Sequence, residues 1–203
     1  MKFNIIACVN YNRAIGWKYS NDLIFHIPRE LALFKKITTQ KSISSDKMNI
    51  IVMGRRTWDS LPDIKPLSGR FNCVISSNYE TLNKNYKDKH NFKAFRNVDC
   101  FLNFAYNNKT HFNETFVIGG KTIYEDFLRR QIINNLFLTE IETINYFGDL
   151  MLPVGFLAGY YLKNCQQHND IAAINTLDNR KMVLDYTVRL YERYDRIHYK
   201  NYI

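Results

Sequence analysis

Glu30 is the side chain in this sequence with the clearest potential for chemistry. It follows Pro28, a residue that suits the first position of a helix, so the carboxylate is predicted in the first helical turn. Its predicted neighbours are the apolar residues Ile27, Leu31 and Phe34. An acid in such surroundings could protonate or bind a ligand. An acid in a first turn also complements the positive end of the helix dipole, and taken alone this explanation is the more common one.

Glycine and polar side chains also stand where further strands are predicted to begin or end. Residues 52–58 lead from a strand into a helix through a glycine. The free N–H groups of that helix start could bind a phosphate together with Arg55, Arg56 and Thr57. Residues 116–124 repeat the arrangement with a double glycine, and residues 65–70 place Arg70 before another strand. Taken alone, these segments are more typical of a basic helix start and of tight turns.

Length and composition indicate a single globular domain. The chain has 203 residues, 46% of them hydrophobic, and no apolar run is long enough to cross a bilayer. The apolar start breaks at Asn10 without a cleavage site, so we expect a cytoplasmic protein that binds no membrane. Its cysteines are far apart, which predicts reduced thiols and no metal site. The net charge of +9 is compatible with nucleic acid or a phosphorylated cofactor, and it does not choose between them.

Strand-like and helix-like stretches alternate along the chain. Strands are predicted at residues 3–9, 50–53, 73–75, 93–95, 115–118, 136–141 and 185–191. Helices are predicted at residues 30–38, 57–61, 98–106 and 123–130, and the polar residues 38–49 and 81–91 predict surface loops. The alternation predicts an α/β fold with a mostly parallel sheet and helices on both faces. Such sheets bind ligands at the carboxyl ends of their strands, where the segments above are predicted to lie.

In this order and spacing, the motifs resemble those of the dihydrofolate reductase family. The resemblance covers residues 3 to about 149 and resumes at residues 186–192. It rests on Ile-Gly at 15–16, Pro-x-Glu-Leu-x-x-Phe-Lys-x-x-Thr at 28–38, Met-Gly-Arg-x-Thr-Trp at 53–58, Pro-Leu-x-Gly-Arg-x-Asn at 66–72, Ile-Gly-Gly-x-x-Ile-Tyr at 118–124 and Leu-Thr at 138–139. The resemblance implies a twisted, mostly parallel sheet with an antiparallel C-terminal strand. It also implies one domain over residues 1–203, with a divergent insertion at about 151–182.

The family reduces 7,8-dihydrofolate to 5,6,7,8-tetrahydrofolate by hydride transfer from NADPH, in support of thymidylate and one-carbon metabolism. The resemblance therefore implies dihydrofolate and antifolates as ligands and a functional link to thymidylate synthase. It implies that Glu30 binds the 2-amino group and N3 of the pterin and assists protonation of N5 through water. A carboxylate suits this task because its two oxygens match the paired donors and its charge favours the protonated ring. The implied catalytic residues are Glu30, Thr139, Tyr124 and Leu23.

Two binding sites follow from the same resemblance. The implied substrate site consists of Glu30 and Thr139 with Ile6, Ala7, Leu31, Phe34, Leu61, Leu67, Arg70 and Ile118, where Arg70 pairs with the α-carboxylate of the glutamate tail. The implied NADPH site consists of Ala7, Cys8, Ile15, Gly16, Gly54, Arg55, Arg56, Thr57, Ser76, Ser77, Gly119, Gly120, Lys121, Thr122, Ile123 and Tyr124. Its arginines and serines favour NADPH over NADH, which has no 2′-phosphate. The Gly119–Gly120 peptide bond is expected to be cis, and Lys65–Pro66 is a weaker candidate.

The sequence departs from the family pattern in several places. Ile24 and Phe25 replace the usual Pro-Trp, which removes an indole N–H that helps to order water near the pterin. The predicted lid at residues 16–23 is two residues longer than in short family members, and Asp149-Leu150 replaces the usual Asp-Thr. Residues 151–182 match no family pattern. They could form an extended loop and hairpin, or a surface that contacts another chain.

Two alternative functions belong to other classes. A pyrimidine reductase of riboflavin synthesis shares the fold and the double glycine, but Glu30 and Arg70 argue against it because that family lacks both. A nucleic-acid-binding protein is suggested by the charge and by the terminal residues Arg189, Tyr191, Arg193, Tyr194, Arg196, Tyr199 and Lys200. A solvated edge strand and tail is the more common explanation of such a terminus, so we expect no nucleic-acid binding.

Overall fold

The computed structural model describes residues 1–20, 23–41, 46–62, 65–143 and 148–194. Within these ranges the elements are β1 (Lys2–Asn10), β2 (Ala14–Gly16), β3 (Phe25–His26), α1 (Pro28–Thr39), β4 (Asn49–Gly54), α2 (Arg55–Ser60), β5 (Arg70–Ile75), α3 (Tyr79–Asn85), β6 (Phe92–Phe95), α4 (Val98–Asn107), β7 (Glu114–Val117), α5 (Lys121–Arg129), β8 (Ile133–Ile141), β9 (Leu150–Met151), β10 (Tyr160–Asn175) and β11 (Lys181–Arg193). Every predicted strand and helix overlaps an observed one, and the α/β prediction is confirmed.

Most strands belong to one large sheet with the order β3-β10-β11-β8-β1-β7-β4-β5-β6. From β8 to β6 all neighbouring strands are parallel. The strand β11 pairs antiparallel with β8, and β10 and β3 continue the antiparallel edge. The expected sheet, mostly parallel with an antiparallel C-terminal strand, is therefore confirmed.

Helices cover both faces of the sheet because side chains on each strand alternate between two apolar layers. Ile50 of β4 belongs to the same buried cluster as Phe101 of α4. Its neighbour Ile51 packs instead in a cluster with Trp58 of α2 and Leu82 of α3. The helices α4 and α5 thus lie on one face and α1, α2 and α3 on the other.

The two surface loops predicted from polar composition are wrong in part. Most of α3 lies within residues 81–91, because the single apolar residue Leu82 is buried against the sheet and Asn83 hydrogen-bonds both the N–H and the carbonyl of Ala94. Thr38 belongs to α1 and Asn49 to β4, and both are buried. Tertiary contacts of this kind leave no mark in the local sequence. Residues 42–45 lie outside the described ranges.

The divergent segment 151–182 forms an extended loop followed by one strand of a long hairpin. The strands β10 and β11 pair antiparallel from Tyr160 opposite Arg193 to Ile174 opposite Lys181. Within the loop, Leu152 is buried and Phe156 and Leu157 pack against the core on the α4 and α5 face. The segment therefore contains the extended loop and hairpin that the sequence suggested as one interpretation.

Candidate active site

Glu30 lies in the first turn of α1, where its side chain is only 7% exposed. Thr139 on β8 donates a hydrogen bond to it, with 3.2 Å between Thr139 Oγ1 and Glu30 Oε1. Burial raises the pKa of Glu30 to about 7, and the hydrogen bond from Thr139 opposes this shift. The expected contact between these two residues is present. The carboxyl group can therefore hold or release a proton near neutral pH.

Glu30→Gln should stabilise the ligand-free protein at high pH. Since the pKa of Glu30 is about 7 when folded and 4.5 ordinarily, the folded state binds more protons between these values. The parent's free energy of unfolding should therefore fall as pH rises from 4.5 through 7, by roughly 3 kcal/mol in total. Urea unfolding at several pH values measures the free energy of unfolding of the parent and of Glu30→Gln. The difference between the two free energies should be small below pH 4.5 and reach its maximum above pH 7. A difference that does not change with pH would show that the carboxyl group is not desolvated.

Tyr124 of α5 connects the double glycine to the first strand. Its hydroxyl donates to the carbonyl of Ile6 over 2.9 Å, and burial raises the pKa of Tyr124 far above its ordinary value. Gly119 has a φ of +110°, and a Cβ at that position would lie 3.1 Å from the Tyr124 ring. Glycine is therefore required there for both conformation and space. The structure also contains both expected cis peptide bonds, Gly119–Gly120 and Lys65–Pro66.

The apolar residues expected to hold the substrate rings form one half-buried wall. They pack against a single core cluster, and they are Phe34, Leu61, Leu67 and Ile118. Leu31 of α1 is half-buried as well, while Ile6 and Ala7 of β1 are buried. The structure thus brings together the residues that were expected to contact the substrate rings, from α1, from the segment after α2, from β1 and from the end of β7.

Arg70 begins β5 beside this wall and is a buried cation, 4% exposed. Its Nη1 donates to Thr38 Oγ1 over 2.9 Å and its Nε donates to the Ser68 carbonyl over 3.1 Å. The guanidinium carbon lies 5.8 Å from the centre of the Phe34 ring. Within the described ranges no carboxylate forms an ion pair with Arg70, and burial lowers its pKa. A ligand carboxylate would supply the missing counter-charge.

A cleft of about 380 Å³ opens where β4, β5 and β7 end. Ten of the residues expected to bind the cofactor line it: Gly54, Arg55, Arg56, Thr57, Ser76, Ser77, Gly120, Lys121, Thr122 and Ile123. A Cβ at Gly54 would lie 3.2 Å from Ile123, so a glycine there lets α2 and α5 approach each other. Cations and two helix starts at one cleft form an anion-binding site.

The remaining residues expected at the cofactor do not line that cleft. Cys8 and Ile15 line a small cavity of about 10 Å³ together with Leu23 and Phe25, next to the buried Ala7 and Gly16. Gly119 lies beside the cleft residue Gly54, whose N–H donates to the Gly119 carbonyl over 2.7 Å, and Tyr124 binds the carbonyl of Ile6 on β1. Phe25, the residue at the expected tryptophan position, is buried at this cavity.

The predicted lid is tied to the loop after β8. The N–H of Lys18 donates to Asp149 Oδ1 over 2.6 Å, and β2 pairs with β9. A Cβ at Gly148 would lie 2.6 Å from the Gly16 carbonyl, so only glycine permits this approach. Asn21 and Asp22 of the lid lie outside the described ranges. The lid is thereby held next to the cavity that Leu23 lines.

Comparison with known proteins agrees with this geometry. A family model described as dihydrofolate reductase matches residues 2–192. The chain belongs to the dihydrofolate reductase family. It is 35% identical to a bifunctional dihydrofolate reductase-thymidylate synthase of Acanthamoeba polyphaga mimivirus over 156 residues, which are 71% of this chain and 25% of that protein. The dihydrofolate reductase of Candida albicans is 31% identical over 130 residues, which are 64% of this chain and 63% of that protein.

A third relative, the dihydrofolate reductase of Buchnera aphidicola, is 33% identical over 161 residues, 79% of this chain and 84% of that protein. The chain spans a quarter of the mimivirus protein and less than two thirds of the Candida protein. The family model that matches this chain is that of dihydrofolate reductase, so the comparison gives no support to the alternative function as a pyrimidine reductase. The family model also matches residues 151–182, where we find no motif of the family in the sequence.

Three residues at the cleft were missed from the sequence: Ile75, Arg96 and Leu150. Arg96 directly follows β6 just as Ser76 directly follows β5. Arg96 could therefore have been predicted at the cleft, because it stands at the end of a predicted parallel strand. Leu150 comes from the short strand β9 and could not be placed without the fold. The cleft of this dihydrofolate reductase family member thus carries the cations Arg55, Arg56, Arg96 and Lys121.

The cations of the last strand have partners in the protein. Arg189 forms an ion pair with Glu140 of β8, at 2.5 Å, and Arg193 donates to the carbonyl of Gln131. The Tyr194 ring packs against Tyr161 with centroids 5.0 Å apart. These contacts give β11 structural interactions with β8 and β10. Arg196, Tyr199 and Lys200 lie outside the described ranges. In the ranges that are described, no helix has the length and apolar character needed to span a membrane.

Proposed function

We propose that this chain reduces 7,8-dihydrofolate to 5,6,7,8-tetrahydrofolate with NADPH as the hydride donor. The observation that carries the proposal is the buried Glu30 carboxyl group, hydrogen-bonded by Thr139 and lying at the end of an apolar wall that leads to Arg70. This arrangement suits a flat, amide-like ring at one end and a carboxylate at the other. Membership in the family and the cation-lined cleft support the same reaction.

Glu30 would bind and activate the pterin. Its two carboxylate oxygens accept hydrogen bonds from the 2-amino group and N3, and its charge favours the protonated form of the ring. Since the pKa of Glu30 is about 7, the carboxyl group can also hand a proton through water to N5 at neutral pH. Thr139 holds the carboxyl group in place, and Phe34, Leu61 and Leu67 exclude water from the ring faces.

The residues at the cleft fit the phosphates of NADPH. Arg55, Arg56, Arg96 and Lys121 supply positive charge, and the first turns of α2 and α5 supply backbone N–H groups. Ser76 and Ser77 add hydroxyl donors at the end of β5. When bound, NADPH supplies the hydride. Tyr124, Cys8 and Ile15 would contact its nicotinamide ring, and Leu23 of the lid lines the same small cavity as Cys8 and Ile15.

A steady-state assay tests this proposal. We expect the purified chain to consume NADPH only when dihydrofolate is present, and to use NADH much less well. NADPH loss without dihydrofolate, or equal use of both cofactors, would contradict the assignment. An antifolate that resembles the pterin should compete with dihydrofolate for the same site.

Arg55→Ala should raise the KM for NADPH and leave the KM for NADH nearly unchanged. Arg55 lines the cleft, and its Nε is oriented by both oxygens of Asp59 at 2.8 Å. The remaining N–H groups can pair with a 2′-phosphate, an interaction that NADH cannot make. The matched control is Arg129→Ala, which removes an exposed arginine of α5. Equal losses with both cofactors would show that Arg55 does not bind the 2′-phosphate.

The metabolic setting is part of the proposal. Two of the relatives are named bifunctional dihydrofolate reductase-thymidylate synthases, and we propose a functional link between this chain and a thymidylate synthase that produces dihydrofolate. The described cysteines are all free thiols, which agrees with the reducing cytoplasm expected from the sequence. We also propose that residues 1–203 act as one reductase domain.

A further inference from the structure

Asp170 of β10 is a buried carboxylate that belongs to the divergent segment 151–182. It is 2% exposed. Its Oδ2 accepts a hydrogen bond from the backbone N–H of Arg29 over 3.1 Å, and its Oδ1 accepts one from the N–H of Ala172 over 2.8 Å. Both oxygens are thus bound by backbone donors, and one of these donors belongs to the first turn of α1.

The helix α1 lacks a capping side chain of its own. Its N-cap residue is Ile27, which has no side-chain acceptor, and Pro28 has no N–H. The N–H of Arg29 is therefore the first unpaired donor of the helix start. Asp170 supplies from another strand the acceptor that a serine or aspartate usually supplies at the N-cap, together with a negative charge at the positive end of the helix.

A second contact joins the same two elements. The side chain of Arg29 reaches back across β10, and its Nη1 donates to the Asn169 carbonyl over 3.0 Å. Both the backbone and the side chain of Arg29 are therefore fixed to β10 at adjacent residues. Glu30 is the next residue along the helix, and its carboxylate is held by Thr139 of β8. The first turn of α1 is held from two strands.

We propose that Asp170 is a positioning residue, which fixes the first turn of α1 and thereby orients the Glu30 carboxylate toward the substrate. The inference rests on the proposed function for the role of Glu30, and on the hydrogen bonds of Asp170 for the contact itself. It gives the divergent hairpin a part in the reaction that the family motifs do not reveal. Asp170 acts through the helix and does not itself contact the substrate.

Asp170 and Glu30 both raise the pKa of Tyr186 in β11. The titratable and charged groups that face Glu30 or its neighbour Tyr186 are Cys8 of β1, Arg29 of α1, Tyr124 of α5, His168 and Asp170 of β10, and Tyr186 of β11. Removing Asp170 takes away a negative charge and leaves the N–H of Arg29 unpaired. The second loss loosens the first turn of α1, while burial and the hydrogen bond from Thr139, which set the pKa of Glu30, remain.

The test compares three variants of the full chain. Asp170→Ala should lower kcat for dihydrofolate about tenfold at pH 7 and leave the Kd for NADPH unchanged, because a lost cap loosens the turn that carries Glu30 and not the cofactor cleft. Asp170→Asn should recover part of this rate, because its one amide oxygen can still accept from the N–H of Arg29 but cannot also accept from the N–H of Ala172. The control is Asn169→Ala, which removes an exposed side chain of the same strand that binds Asp185.

Several results would overturn the proposal. One is an Asp170→Ala variant with the parent's kcat. Another is an Asp170→Asn variant as slow as Asp170→Ala. A third is an Asp170→Ala variant that loses NADPH affinity in proportion to kcat, since that pattern indicates general loss of structure.

Hydrogen exchange separates this proposal from the proposed function. In the ligand-free protein, the amide of Arg29 should exchange faster in Asp170→Ala than in the parent, while amides of β8 stay protected. If the parent does not reduce dihydrofolate, the proposed function fails and the exchange result still decides whether Asp170 caps α1. Unchanged exchange at Arg29 would overturn the contact itself.

Discussion

Glu30→Gln should slow the reduction of dihydrofolate by about 10²–10⁴-fold at neutral pH, with fold and NADPH affinity nearly intact. Glutamine keeps the shape of the side chain, and it can still accept the hydrogen bond from Thr139. It removes the negative charge that favours the protonated pterin and the group that can transfer a proton near pH 7. Single-turnover rates with saturating NADPH measure the effect on the chemical step.

Lowering the pH should restore part of the rate of Glu30→Gln, because more dihydrofolate then arrives already protonated. A purely structural Glu30 predicts no such recovery. Glu80→Gln is a suitable control, since Glu80 is an exposed residue of the first turn of α3. A Glu30→Gln variant with the parent's rate at neutral pH would reduce Glu30 to an acid at a helix start and refute its catalytic assignment.

Arg70→Leu should raise the KM for dihydrofolate by roughly 10²-fold or more with little change in kcat. The guanidinium is buried, two of its nitrogens are fixed by Ser68 and Thr38, and no carboxylate of the described chain pairs with it. Loss of a buried, hydrogen-bonded charge pair typically costs about 2–5 kcal/mol of binding free energy. The tail carboxylate is remote from the reacting ring, so the loss should fall equally on bound substrate and transition state.

A substrate without the glutamate tail provides the control for Arg70. Its KM should already be high with the parent and should change little in Arg70→Leu. Arg129→Leu, at an exposed position of α5, should leave both substrates unaffected. If Arg70→Leu weakened the tailless substrate as much as dihydrofolate, Arg70 would be supporting the wall at Phe34 and not binding a carboxylate.

The parts of the site that could be predicted from sequence are those carried by short, ordered motifs. Glu30 and Thr139 are 109 residues apart in sequence, and the contact between them that the resemblance implies is present. The lining of the cation-rich cleft could also be predicted, since strand ends in such a sheet share one edge. The cap of α4 is of this local kind, because the side chain of Asn97 accepts a hydrogen bond from the N–H of Cys100 three residues later.

The parts that could not be predicted depend on contacts between distant segments. In the sequence nothing distinguishes Asp170 from the polar residues around it. Its contact with α1 exists only because the β10–β11 hairpin places it there. The polar residues around Leu82 form a helix because the side chain of Leu82 is buried against the sheet. Leu150 belongs to the short strand β9, which pairs with β2, and it lines the cleft from there. Local patterns do not encode such pairings, because each requires the register of strands that are far apart in sequence.

Isotope transfer tests the central claim most directly. The chain is incubated with dihydrofolate and NADPH that carries deuterium at both C4 positions, and the products are analysed by mass spectrometry. We expect equal amounts of NADP⁺ and of tetrahydrofolate with one deuterium at C6, and far less of both products with Glu30→Gln. NADPH oxidation without labelled tetrahydrofolate, or no oxidation at all in the presence of dihydrofolate, would contradict the claim.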